Sequence, residues 1–221
     1  MTADATAMTA HAGASAHAGA SAHAQRGISN PILGMILFIT SEVMFFSGLF
    51  AAYFAIRANN QPWPPNNCGI NPPSGCVPFS EILDPLGPII IATILLITSS
   101  FTCQFAVWSI RRGDRTGFLR NIAITFVLGI TFLAMQAYDY TLLFGEGMTL
   151  GSGPFGTTYF TLTGFHGAHV FGGVLMLGVL LYRGMAGQFS ARHHDAVEAV
   201  SLYWHFVDVV WILLFSILYM L

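Results

Sequence analysis

The sequence predicts an all-α integral membrane protein, a bundle of five transmembrane helices. Three observations carry the prediction. Of 221 residues, 54% are hydrophobic and only 8% are charged, where a soluble domain carries about 25% charged residues. Five apolar segments are each long enough to cross a bilayer at about 1.5 Å of rise per residue. The polar stretches between them are too short to fold separately. The chain therefore divides into a tail over residues 1–29 and a five-helix unit over residues 30–221.

The tail is rich in Ala, His, Gly and Ser, and HAGASA occurs at 11–16 and again at 17–22. Small residues without apolar periodicity cannot bury a core, so a disordered cytoplasmic tail is expected. Histidines spaced by six fit no usual zinc pattern. The tail has no apolar core of a signal peptide, and the first span is expected to act as its own insertion signal.

The spans cover roughly 31–57, 85–110, 118–144, 155–183 and 196–220. The link between the first two reads WPPNNCGINPPSGCVP, too rich in proline for a helix. Every basic residue is an arginine. Arg26, Arg111, Arg112, Arg115, Arg120, Arg183 and Arg192 fall on one side of the alternating spans, and Arg57 alone on the other. The positive-inside rule then places the N-terminus in the cytoplasm and the C-terminus outside. Cys68 and Cys76 would face the outer compartment, where disulfides persist. A Pro/Gly turn between them lets their Cα atoms reach the ~4.4–6.8 Å that a bridge needs, so a disulfide is expected. Cys103, in an apolar stretch, reads as a small core residue. The net charge of −2 argues against a nucleic-acid partner.

Glu42 is the one acid of the first span. A carboxylate there costs several kcal/mol, so it must be protonated or paired inside the bundle. Counting from the helix ends puts Glu42 about 16 Å deep, His205 and Asp208 about 14–18 Å deep, and His169 near the middle as well. His166 lies somewhat further out. These five residues form a candidate intramembrane polar network. His166, His169 and His205 also suggest a three-His metal site, but no Cys or second carboxylate sits at ligand spacing, which favours hydrogen bonding. On the last span Glu198, Ser201, His205 and Asp208 share one face, which must look into protein. Trp204 and Trp211 flank it, as packing residues or as contacts to a partner subunit. Gly164, Ala168 and Gly172 form a small-residue ladder that predicts close approach of another backbone. A membrane transporter with a midplane carboxylate–histidine site is the alternative from another class; it predicts internal repeats and a broken helix, and the sequence shows no convincing repeat.

ILFITSEVMFFSGLF, RRGDR, TGFHGAHVFGG and HHDAVEAVSLYWHFVDVVWILLF together resemble subunit III of haem–copper terminal oxidases, the cytochrome c oxidase subunit 3 family, in its short five-helix form. The resemblance runs from about Asn30 to the C-terminus. It implies a non-catalytic subunit, in the cell inner (plasma) membrane, of a proton-translocating oxidase that reduces O2 to water. On that basis the chain has no catalytic or metal residue of its own. Haem and copper belong to partner subunits, and bound phospholipid is expected. The implied partners are subunit I directly, subunit II in the same complex, membrane lipids, and cytochrome c through the complex. Subunit III of a ubiquinol oxidase is the alternative; Glu42 favours cytochrome c, because quinol-type members lack an acid there. Glu42 matches the family's intramembrane glutamate, and His205 and Asp208 match its WHFVD. Arg183 matches a residue implicated in lipid headgroup binding. His193 and His194 match a cytoplasmic His pair which, with Asp195 and Glu198, forms an expected proton-uptake surface. The long form has seven helices, with lipid in a cleft between the first two and the rest. This chain has only the last five, and its Cys68–Cys76 loop is unlike the usual pattern.

Overall fold

The computed structural model describes residues 29–61, 63 and 87–220. Five helices follow in order: α1 Asn30–Asn59, α2 Pro88–Arg111, α3 Arg115–Gly145, α4 Pro154–Met185 and α5 Asp195–Phe215. The last continues as a wider π-helical turn over Ser216–Met220. All five are long and apolar enough to cross a membrane. Residues 1–28 and the loop with Cys68 and Cys76 lie outside the described residues.

Helix ends explain where the structure departs from the predicted spans. Asp114 caps α3: its carboxylate accepts the Gly117 amide proton at 2.9 Å. The helix therefore starts at Arg115, three residues before the apolar run does. Gly113 (φ 78°) and Gly187 (φ 74°) take left-handed turns after α2 and α4. The next amides reach back to close each helix, Asp114 to the Ser109 carbonyl at 2.9 Å and Gln188 to that of Arg183 at 3.1 Å.

These two links meet at one end of the bundle. An Arg115 guanidinium nitrogen donates to the Met185 carbonyl at 2.7 Å, and Arg111 pairs with Glu198 at 2.7 Å. Arg57 stands in the last turn of α1, at the opposite end. Lipid offers backbone groups no hydrogen bonds, so each span satisfies its own as a helix.

Helices α2 to α5 enclose the core, and α1 lies against α5 and α4 with only Phe46 and Tyr53 buried. The core centres on Trp204, fully buried, whose indole N–H donates to Ser99 Oγ at 2.9 Å. Its ring fits where Gly129 of α3 and Gly173 of α4 have no side chain; a Cβ at either would come within 2.7 and 2.8 Å of it. Trp211, also buried, donates to Thr93 Oγ1 at 3.0 Å. Both tryptophans are thus packing residues, not contacts to a partner. The predicted small-residue ladder is corrected as well. Ala168 is exposed, and Cβ atoms at Gly164 and Gly172 would meet only tyrosine hydroxyls at ordinary contact distances. Tight approaches on α4 fall instead at Gly173 and Gly184, against rings and side chains, and at Gly156 in the first turn, against the Thr149 carbonyl and the Ser152 hydroxyl of the preceding link. Cys103 is buried in the core as a free thiol.

Candidate functional site: polar side chains across the middle of the bundle

His169 of α4 faces α1. Its Nδ1 lies 2.7 Å from the Phe165 carbonyl, one turn back on its own helix. A carbonyl can only accept, so Nδ1 carries a proton. Nε2 stands 2.9 Å from Glu42 Oε2. A neutral ring then offers a lone pair at Nε2, and Glu42 must donate; a charged ring donates to a Glu42 carboxylate. Either way one proton sits between the two groups. Phe46 covers the imidazole edge-on at 5.0 Å, and each polar side chain is less than a fifth exposed.

A second group joins α5 to α2. Ser100 Oγ lies 2.8 Å from His205 Nδ1 and makes a short hydrogen bond to Asp208 Oδ2. His205 Nε2 faces Gln104 Oε1 at 3.3 Å. Asp208 is buried, and its Oδ1 has no hydrogen-bond partner among the described residues.

His166 stands apart from both. It is fully buried, stacked on Trp211 at 4.9 Å with Phe132 edge-on at 6.0 Å. Neither ring nitrogen has a partner among the described residues. The five candidate residues therefore occupy three places rather than one. The three histidines stand against different neighbours, and among the described residues no group of three or more His, Cys, Asp or Glu side chains could hold a metal ion.

At the arginine-rich end, Glu198 Oε1 accepts from Arg111 and lies 3.1 Å from His194 Nε2. Asp195 opens α5, and His193 is exposed just before it. Arg183 donates to Gln188 Oε1 at 2.8 Å and lies 5.0 Å over the Phe189 ring, which holds its guanidinium at the end of α4.

Two residues of this layer escaped sequence reasoning, Ser100 and Gln104. Their spacing of four on an apolar helix was the available signal, since it puts both on one face.

The fold and the buried polar pairs define a multi-pass helical membrane protein. The chain belongs to the cytochrome c oxidase subunit III family, whose profile matches residues 10–221. It is 41% identical over 188 residues to the probable cytochrome c oxidase subunit 3 of Mycobacterium tuberculosis (strain ATCC 25618 / H37Rv), covering 85% of this chain and 86% of that protein. Identity to the cytochrome c oxidase subunit 3 of Corynebacterium diphtheriae is 43% over 190 residues, with the same coverage. The carp (Cyprinus carpio) protein of that name is 41% identical over 186 residues, covering 84% of this chain and 67% of the longer fish protein. Membership implies a complex with other oxidase subunits.

Proposed function

We propose that the chain is the non-catalytic subunit III of a proton-pumping oxidase that takes electrons from cytochrome c and reduces O2 to water. The observation that carries this is the family match over nearly the whole chain, with relatives named for cytochrome c oxidase. Glu42, held by His169 in mid-membrane, supports the cytochrome c donor over ubiquinol. The chain packs on subunit I, with subunit II in the same complex, and haem and copper reside in those partners. It lies in the cell inner membrane with its N-terminus in the cytoplasm. Gathering of Arg111, Arg112, Arg115, Arg183 and Arg192 about the two links at one end supports that orientation. Arg183 binds a lipid phosphate in this reading, which its position at the end of α4 over Phe189 supports. Purified complex containing this chain should oxidise reduced cytochrome c; oxidation of ubiquinol instead would overturn the donor assignment.

The chain supports proton uptake through His193, His194, Asp195 and Glu198. Glu198 links His194 to Arg111 at this surface. Replacing both histidines and Asp195 with neutral residues should lower turnover more at alkaline pH, where protons are scarce, and hasten inactivation during sustained turnover. An unchanged pH profile and lifetime would leave scaffolding as the role of this surface.

The disulfide expected between Cys68 and Cys76 lies outside the described residues and is open to direct test. Mass mapping of the native, unreduced protein should recover the two joined; finding both thiols free refutes the bridge.

A further inference from the structure

Two clefts lie end to end between α2 and α5. One, of about 150 Å³, is lined by Arg111, Glu198 and Ser201 toward the arginine-rich end. The other, of about 310 Å³, lies at mid-span and is lined by Ser100 and Asp208 under an apolar rim of Phe101 and Val209. Gln104 and His205 line both clefts. A file of polar side chains thus runs from the end of the bundle to a carboxyl in mid-membrane. It ends there: Asp208 Oδ1 is buried at the cleft without a partner among the described residues, and hydrocarbon tails cannot supply one.

We infer that this file is a proton-loading site: Asp208 gains and loses a proton through Ser100 and His205 from the side of the membrane that bears the α2–α3 link. The bonds balance in both states. Unloaded, the Gln104 amide donates to His205 Nε2, Nδ1–H donates to Ser100 Oγ, and the Ser100 hydroxyl donates to the Asp208 carboxylate. A proton from water in the outer cleft adds to Nε2. The Nδ1 proton passes to Ser100 as the Ser100 proton passes to Asp208 Oδ2. The Gln104 amide turns so that its oxygen accepts from Nε2–H. Every contact is again donor to acceptor, and the net change is one proton gained by Asp208. Gln104 Oε1 stands toward His205 Nε2, the orientation that accepts from Nε2–H in the loaded state.

The charged and titratable groups along the clefts are Arg111 and Glu198, with His194 on Glu198, and the buried Cys103 of α2 near Asp208. Helix α1 contributes Ile32. From α4, His166 stacks on Trp211 of α5, whereas the His169 side chain faces Glu42 of α1 and only its backbone carbonyl accepts from Tyr203 of α5. Helix α3 meets α5 at Gly129 and Phe132.

This goes beyond the uptake surface proposed above and does not depend on which compartment the link faces. The test uses the purified complex in oriented vesicles, with infrared difference spectra recorded as pH is stepped on one side at a time. A protonated-carboxyl C=O band should grow on acidifying the link side alone. It should vanish in Asp208→Asn, move in Asp208→Glu, and persist in Glu42→Gln. Ser100→Ala should slow its growth at least about tenfold. Should Asp208→Asn fail to assemble, Asp208→Glu still assigns the band. A band that follows the opposite side, or neither side, overturns the inference; the latter makes Asp208 a fixed hydrogen bond to a partner helix. Labelling of Thr116→Cys reports which compartment the link faces, so a wrong orientation shows up separately from a wrong proton path.

Discussion

Trp204→Ala is expected to destabilise the folded bundle toward the lower end of the range of about 3–5 kcal/mol known for buried Trp truncation. The range combines transfer from water with the cavity left behind. In a membrane the unfolded helix already sits in lipid, so the transfer contribution is small. What remains is lost packing, and here it is large. Trp204 is fully buried, and its ring fills the gap between Gly129 and Gly173. Truncation leaves a hole that two glycines cannot close and leaves the Ser99 hydroxyl without its indole donor. The complementary change, Gly129→Leu, should destabilise by overpacking, about 1–3 kcal/mol. It forces atoms into the ring and against Val174, whose side chain is 2.9 Å from where the Cβ would sit. Combining it with Trp204→Ala should cost less than the sum of the two, because the leucine enters the vacated space. Denaturant titration of the subunit in detergent, or the fraction retained in purified complex, measures all three. Additivity of the pair would show that Trp204 and Gly129 do not share one space.

How much of this was legible in the sequence depends on what selects each feature. Spans were readable because lipid forces any long apolar segment to satisfy its own backbone as a helix; length and composition suffice. Ends were not, because Asp114 and Gly187 act through local geometry that apolar counting ignores. The stripe on α5 was readable because Glu198, His205 and Asp208 are costly in lipid and must share a sheltered face. Its counterpart on α2 was not. Serine and threonine bond back to their own helix, as Thr98 does to Ile94 and Ser99 to Leu96. A hydroxyl in an apolar helix therefore does not announce a partner, and Ser100 looked like its neighbours. His166 and His169 show the same limit. Three residues apart, they point to different sides of α4, and depth counting separated them only slightly. The rotation of α4 against α1 and α5 gives Glu42 to His169 and buries His166 against Trp211. That rotation follows from packing, the glycines facing Trp204 included, and no pattern along one helix encodes it.

Glu42→Leu should loosen α1 from the bundle, whereas Glu42→Gln should leave it attached. The contrast follows from proton counting. His169 spends Nδ1–H on the Phe165 carbonyl, so a neutral ring presents an acceptor at Nε2 toward Glu42. A glutamine amide can donate to that nitrogen and keeps both the shape and the hydrogen bond. Leucine cannot, and it leaves Nε2 facing hydrocarbon. The lost hydrogen bond is worth about 1.5–3 kcal/mol if the pair is charged, and nearer about 1 kcal/mol if it is neutral. Few other contacts would compensate, because α1 buries only Phe46 and Tyr53. Of the polar contacts that reach it from elsewhere, the indole of Trp63 bonds Tyr53 at 3.1 Å and the Ile217 carbonyl lies 3.5 Å from that hydroxyl. His169→Leu should match Glu42→Leu, and the double leucine variant should be milder than the sum, since both polar groups leave together and an apolar pair replaces them. A cysteine pair spanning α1 and α4, with crosslinking yield measured in membranes, reads attachment directly. Equal yields for glutamine and leucine at position 42 would show that Glu42 does not hold α1 in place.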